Sequence, residues 1–162
     1  MSVLPQTRSC FACGRDNARG LNLKITKDGN DVRTIWVPRT EHVGFNDTVH
    51  GGILATVLDE MMAWACGVFA KSFAYSVEIS IRYSSVAKPG EEVECSGELV
   101  ANRRNRLFET KAELRNSQGE SICSATGKYF PVRPEVQEKL WNDFVGDVTQ
   151  LKDALNESDV PR

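Results

Sequence analysis

The sequence predicts an α+β fold in which one antiparallel sheet wraps a single long helix. Three observations predict it. The stretch 50–70, HGGILATVLDEMMAWACGVFA, repeats apolar residues at helical spacing and holds no proline. Alternating, strand-like segments separated by turn residues occur before it and, four times over, after it. A second stripe at helical spacing comes only at the end of the chain, beyond Pro134.

The central stretch sets the rest. At about 100° per residue, Ile53, Leu54, Val57, Leu58, Met61, Met62, Trp64, Ala65, Val68 and Phe69 fall on one half of the helix. The other half is small: Ala55, Thr56, Ala63, Cys66, Gly67 and Ala70. A helix apolar on most of its circumference is a buried one. Its bulky face fills a core, and its small face admits a ligand, a strand or a second copy of the helix. The only charges are Asp59, among the small residues, and Glu60, beside Ile53 and Trp64. Neither has a cation within a helical turn, since the next basic residue is Lys71. An unpaired buried carboxylate is costly and titrates high. It is either a catalytic base or nucleophile, or a hydrogen-bonding group for another element or subunit.

The remaining elements follow in order. Residues 1–20 read as a polar, irregular segment, with Gly14 and Gly20 supplying turns. Residues 21–25 alternate apolar and polar, 27–30 make a turn, and 31–37 alternate again, which predicts a hairpin ended by Pro38. A loop, 39–49, leads to the helix, with Thr48 or Asn46 as candidate caps. The four later strands are predicted over 74–86, 91–101, 107–115 and 121–132. Ala87-Lys-Pro-Gly90, the basic tip 102–106 and Asn116-Ser-Gln-Gly119 join them. Residues 135–158 predict an amphipathic helix through Val136, Leu140, Phe144, Val148, Leu151 and Leu155. The domain limits are therefore 1–20, 21–133 and 134–162.

Composition narrows the class. The chain has 162 residues, 41% of them hydrophobic, enough for one domain with a real core. A net charge of -2 speaks against a nucleic-acid partner. The first ten residues carry no apolar run of the secretory kind, and no uninterrupted apolar stretch reaches spanning length, so no membrane partner is expected. Five scattered cysteines make a poor disulfide framework, which suits reduced thiols and a cytoplasmic location. Cys10 and Cys13 form a CxxC, but a tetrahedral metal site needs about four ligands. No second CxxC follows, and His42, Cys66, Cys95 and Cys123 are single and far apart. No metal and no cofactor are expected; the two thiols read as apolar pins for the N-terminal loop.

The chain resembles the hotdog-fold acyl-CoA thioesterases, specifically the PaaI-like group of the 4-hydroxybenzoyl-CoA thioesterase superfamily. The residues that carry the resemblance are His50-Gly51-Gly52, then Asp59 nine positions after the histidine. Ser76-Val-Glu-Ile-Ser-Ile-Arg-Tyr83 followed by Ala87-Lys-Pro-Gly90 matches the family's strand and turn, and CFACGRDNARGL its N-terminal signature. The resemblance implies a sheet around the helix, a homodimer joined edge to edge or a dimer of dimers, and an acyl-CoA site at the subunit interface. One feature departs from it: an Asn or Gln often stands six residues before the histidine, and here that position is Gly44, with Asn46 out of register.

Thioester hydrolysis needs an activated water or nucleophile and a holder for the developing oxyanion. A helix N-terminus offers free N–H groups, and Gly51 and Gly52 leave a carbonyl room to approach. The Gly51 N–H is assigned to the oxyanion hole, and Asp59 is the general base or the direct nucleophile. By the resemblance, Ser76 helps hold the water or the carboxylate. His50 orients the turn or touches substrate. Glu60 is the reserve carboxylate, and Asn46 a substrate contact through a rearranged loop. Arg103, Arg104 and Arg106 suit the phosphates of CoA and equally a solvated hairpin tip. The alternative is a non-catalytic acyl-CoA-binding or sensing hotdog module. A hotdog dehydratase is disfavoured because His42-Val-Gly-Phe lacks that group's prolines.

Overall fold

The computed structural model describes residues 2–149 and 151–152. In chain order the strands are β1 (Ser2–Val3), β2 (Gln6–Thr7), β3 (Ile25–Asp28), β4 (Asp31–Trp36), β5 (Val43–Phe45) and β6 (Thr48–Val49). The long helix α1 (Gly51–Phe69) comes next. Then follow β7 (Ala74–Tyr83), β8 (Val93–Asn102), β9 (Phe108–Asn116), β10 (Ser121–Pro131), the short helix α2 (Pro134–Leu140) and β11 (Phe144–Val145). Seven strands form one antiparallel sheet in the order β1-β3-β4-β8-β9-β10-β7.

The sheet closes on α1 through alternation. Val93 and Cys95 of β8, Phe108, Ala112 and Leu114 of β9, and Cys123, Ala125 and Tyr129 of β10 are buried, with exposed or half-buried residues between them. Against them α1 buries Leu54, Val57, Leu58, Met61, Met62 and Trp64. By length and a mean hydropathy of 1.4, α1 would pass as a membrane span. The sheet wrapped around it accounts for that apolarity. The expected α+β arrangement is the one observed.

Two expectations need correction. Residues 21–24 are not a strand, although Leu21, Leu23 and Ile25 are buried and the residues between them are exposed. The Leu21 and Leu23 N–H groups bond the Phe11 and Ala12 carbonyls in the N-terminal loop instead of a sheet neighbour, and Asn22 has φ 54°. The tail is not one long helix. It stops at Leu140, makes a 3-10 turn at Trp141–Asp143, and extends so that Phe144 and Val145 pair with Thr7 and Gln6. Phe144 leaves the helical path to stack on Phe73, rings 5.5 Å apart, and to meet Trp64 and Trp141 edge-on or tilted. The predicted positions 153–158, Leu155 among them, lie outside the described residues.

Candidate functional site

The N-terminus of α1 is built by the loop before it. His50 is the N-cap, not Asn46 or Thr48, and its Nδ1 accepts the Gly52 N–H at 2.9 Å. The His50 carbonyl takes the Ile53 and Leu54 N–H groups. The Gly51 N–H is left without an acceptor among the described residues. The Tyr83 hydroxyl donates to the Gly51 carbonyl at 2.8 Å, which ties this turn to β7. Gly44 is explained by the same turn, since a Cβ there would lie 2.8–2.9 Å from His50 atoms. No side chain of the kind the relatives carry fits at that position. Asn46 and Asp47, both with positive φ, form the exposed turn between β5 and β6.

Asp59 lies on an incompletely covered stripe of α1, together with Gly52, Ala55, Thr56 and Ala63 and flanked by the half-buried Ile53 and Glu60. These positions recur at three- and four-residue spacing. The Tyr129 hydroxyl of β10 donates to Asp59 Oδ1 at 2.7 Å. Burial raises the Asp59 carboxyl above its ordinary range, and the Tyr129 bond pulls the other way. Tyr129 was not foreseen from the sequence; the available signal was an inward-facing tyrosine near the end of β10. Burial among apolar neighbours first, and the Asp59 charge next, push its phenol upward, so it stays a donor.

The ladder places other candidates around this contact. Ser76 pairs with Tyr129, Tyr129 with Phe108, and Phe108 with Asn102, in one row across four strands. Directly paired residues share a face, so Ser76 stands on the side of the sheet that carries Tyr129, at the exposed edge. The β8–β9 tip begins one residue past the end of that row. Arg103, Arg104 and Arg106 therefore sit at the same end of the sheet as Asp59, about 14 Å across from Ser76 at ordinary strand spacing. Arg103 is committed to Glu109 (3.0 and 3.3 Å), an exposed pair. Arg104 and Arg106 have no ion-pair partner among the described residues.

Glu60 points elsewhere. Its Oε1 accepts the Trp64 indole N–H at 2.9 Å, and its Oε2 lies 3.8 Å from Cys10 Sγ. Burial, reinforced by the Cys10 thiol, raises its carboxyl to about 7. The structure thus brings Glu60 to the CxxC of the N-terminal segment, a contact between positions 50 residues apart that no sequence pattern signalled.

Among known proteins, the thioesterase superfamily model matches residues 46–123. A Caenorhabditis elegans protein carrying the name "Putative esterase" is 32% identical over 113 residues, 67% of this chain. The chain spans 63% and 66% of the length of two curated relatives it matches. The crystal structure of smu.793 from Streptococcus mutans UA159, bound to acetyl CoA, superposes with a TM-score of 0.63 at 18% identity. The match covers 68% of this chain and 89% of that one. The E. coli PaaI protein gives a TM-score of 0.64 at 17% identity, over 70% and 81%. At those identities the two structures establish a shared fold.

Proposed function

The chain is a hotdog-fold member of the thioesterase superfamily, and from that premise we propose that it hydrolyses the thioester of an acyl-CoA at a site shared by two protomers. The observation that carries the reading is the Asp59 carboxylate. It is half-buried, raised in pKa, oriented by Tyr129, and carried on an incompletely covered stripe of a helix that is otherwise largely wrapped. The acyl-CoA class draws support from the acetyl CoA in the Streptococcus mutans neighbour.

The geometry of the helix supports a two-protomer site. Gly51 and Asp59 are eight residues apart on α1. That is about 12 Å along the axis and about 80° around it. A thioester carbonyl, with contacts of about 3 Å, does not bridge that gap. Asp59 of one chain would act on a carbonyl held by Gly51 of the partner subunit. The β7 edge suits such a pairing: opposite its β10 neighbour it has no strand partner among the described residues, it runs ten residues, and it exposes Tyr75 (57%), Val77 (52%) and Tyr83 (50%).

In the reaction, Asp59 takes a proton from water and the water oxygen attacks the carbonyl carbon. Alternatively, Asp59 attacks directly, and water then opens the resulting anhydride. In both routes the C–S bond breaks, the electron pair leaves with the CoA sulfur, and the thiolate is neutralised by the proton that water gives up, directly in the first route and on opening of the anhydride in the second. The Gly51 N–H holds the oxyanion, a contribution of about 3 kcal/mol for such donors. Ser76 holds the water or the carboxylate, and Arg104 and Arg106 meet the CoA phosphates.

The test is a panel of acyl-CoA esters assayed with the native chain and with Asp59→Asn, each checked for folding. Turnover is expected to fall by about a thousandfold. Turnover that survives in a folded Asp59→Asn chain would overturn the assignment. Tight binding of acyl-CoA with no turnover in the native chain would leave a sensing module in its place.

A further inference from the structure

We infer that Cys10, Cys13 and Glu60 form a binding site for a zinc-class divalent cation, which clamps the N-terminal segment onto the central helix. This site is separate from the Asp59–Tyr129 contact and does not depend on the thioesterase reading. The two thiol sulfurs and a carboxylate oxygen all lie within 4.8 Å of one another. In a tetrahedral zinc site, bonds of about 2.3 Å to sulfur and 2.0–2.2 Å to oxygen put neighbouring ligand atoms roughly 3.5–3.8 Å apart. Cys10 Sγ and Glu60 Oε2 are already 3.8 Å apart. The other separations are at most 4.8 Å, so closing the trio on an ion takes movement of about 1 Å or less.

The backbone is shaped for this. The Gly14 N–H bonds the Cys10 carbonyl at 2.9 Å, and the Ala12 N–H points at Cys10 Sγ at 3.3 Å. The turn is so tight that a Cβ on Gly14 would lie 2.2 Å from the Cys10 carbonyl oxygen. A C-x-x-C-G turn of this shape converges its two sulfurs on one point, and it also leaves an N–H to support a thiolate. Thr7 Oγ1 lies 3.3 Å from Cys13 Sγ, and the Trp64 indole fixes the far oxygen of Glu60. Each ligand thus has an outer partner that orients it.

The donor set decides the metal. Two sulfurs select zinc-like ions over magnesium or calcium, which prefer oxygen alone. Three protein ligands leave a fourth position. The trio lines a cavity of about 180 Å³, shared with Trp64, Phe73 and Tyr75, which is room for a water there. Pinning Cys10 and Cys13 to α1 also holds Ala12, Leu21 and Leu23, which are buried but belong to no strand.

The experiment uses the full chain, purified without a polyhistidine tag and kept reduced. Elemental analysis is expected to find one zinc per chain, or one bound on adding Zn2+ to the chelated protein. Cobalt in its place is expected to give a thiolate-to-metal charge-transfer band. Cys10→Ser with Cys13→Ser should remove both signals, and Glu60→Gln should weaken Zn2+ binding by at least about tenfold. If the double variant does not fold, the cobalt spectrum of the native chain decides alone, since a band without thiolate character would overturn the assignment. So would retention of stoichiometric metal by the folded double variant. So too would a reduced chain that takes up no metal and instead closes a Cys10–Cys13 disulfide in air.

Discussion

His42 is buried to 4% exposure in the loop that leads to α1, where its ring packs 5.2 Å from Trp36. Its Nδ1 accepts the Arg39 N–H at 3.0 Å, so the proton sits on Nε2, which has no partner among the described residues. Burial first, and the nearby Arg39 charge second, depress its pKa below the ordinary 6.5, while Glu41 opposes them. Below 6.5 the unfolded chain therefore binds a proton that the folded chain resists. The stability that neutral His42 contributes is complete above that pH and is lost as pH falls toward the depressed folded value. The stability difference between the native chain and His42→Gln, whose amide oxygen still accepts the Arg39 N–H, is therefore expected to shift against the native chain as urea midpoints are followed from about pH 7.5 to 5.5; Glu60, raised to about 7, stabilises both proteins as pH falls and cancels in that difference. Equal slopes in the two proteins would show that His42 is not the group responsible. This residue was invisible in the sequence because only its neighbours in space distinguish a buried neutral histidine from a surface one. Asp59 and Glu60, by contrast, stood out in the sequence, since the only two carboxylates on an apolar helix are conspicuous before any contact is known.

At the scale of elements, the parts with a strong period were readable and those held by distant contacts were not. Helix α1 and strands β7 to β10 have ends within a few residues of those the pattern gave, because their periodicity reflects burial against one another. The tail carried an equally regular stripe and still broke after Leu140. Its residues found partners in the N-terminal segment and around the end of α1, not in their own helix. Phe144 stacks on Phe73, β11 pairs with β2, and the Asp143 carbonyl and carboxylate accept from the Arg8 N–H and the Ser9 hydroxyl. The two ends of the chain thus stabilise each other against the sheet. Phe144→Ala should cost about 2 kcal/mol, at the low end for a large-to-small change because the ring is only half-buried. It should also increase proteolysis within residues 1–20. A urea titration with limited proteolysis reads both effects. A stability loss with no gain in cleavage near the N-terminus would mean that the tail packs on the domain without bracing the leading segment.

At the scale of the whole molecule, the arrangement of one helix implies something about two. Gly51 and Asp59 of a single chain lie about 12 Å and about 80° apart on α1, so the site proposed above draws them from different protomers of a dimer. Two inactive variants that lack complementary halves then restore one another. Gly51→Pro removes the N–H while suiting the first position of a helix, where proline is favoured. The preceding His50 already has ψ 132°, which proline requires of the residue before it. Asp59→Asn removes the carboxylate and keeps its shape. Each homodimer has two defective sites and should be inactive. Mixed and reassembled at equal amounts, half the dimers contain one chain of each kind. In each of those, one site joins the intact Asp59 of the first chain to the intact Gly51 of the second. Such a mixture should recover about a quarter of native turnover, with the recovered activity co-eluting with the heterodimer when one variant carries a separable tag. A site built within one chain leaves both chains of every dimer defective, so recovery near zero in a verified heterodimer would remove the shared site and require a different donor for the oxyanion.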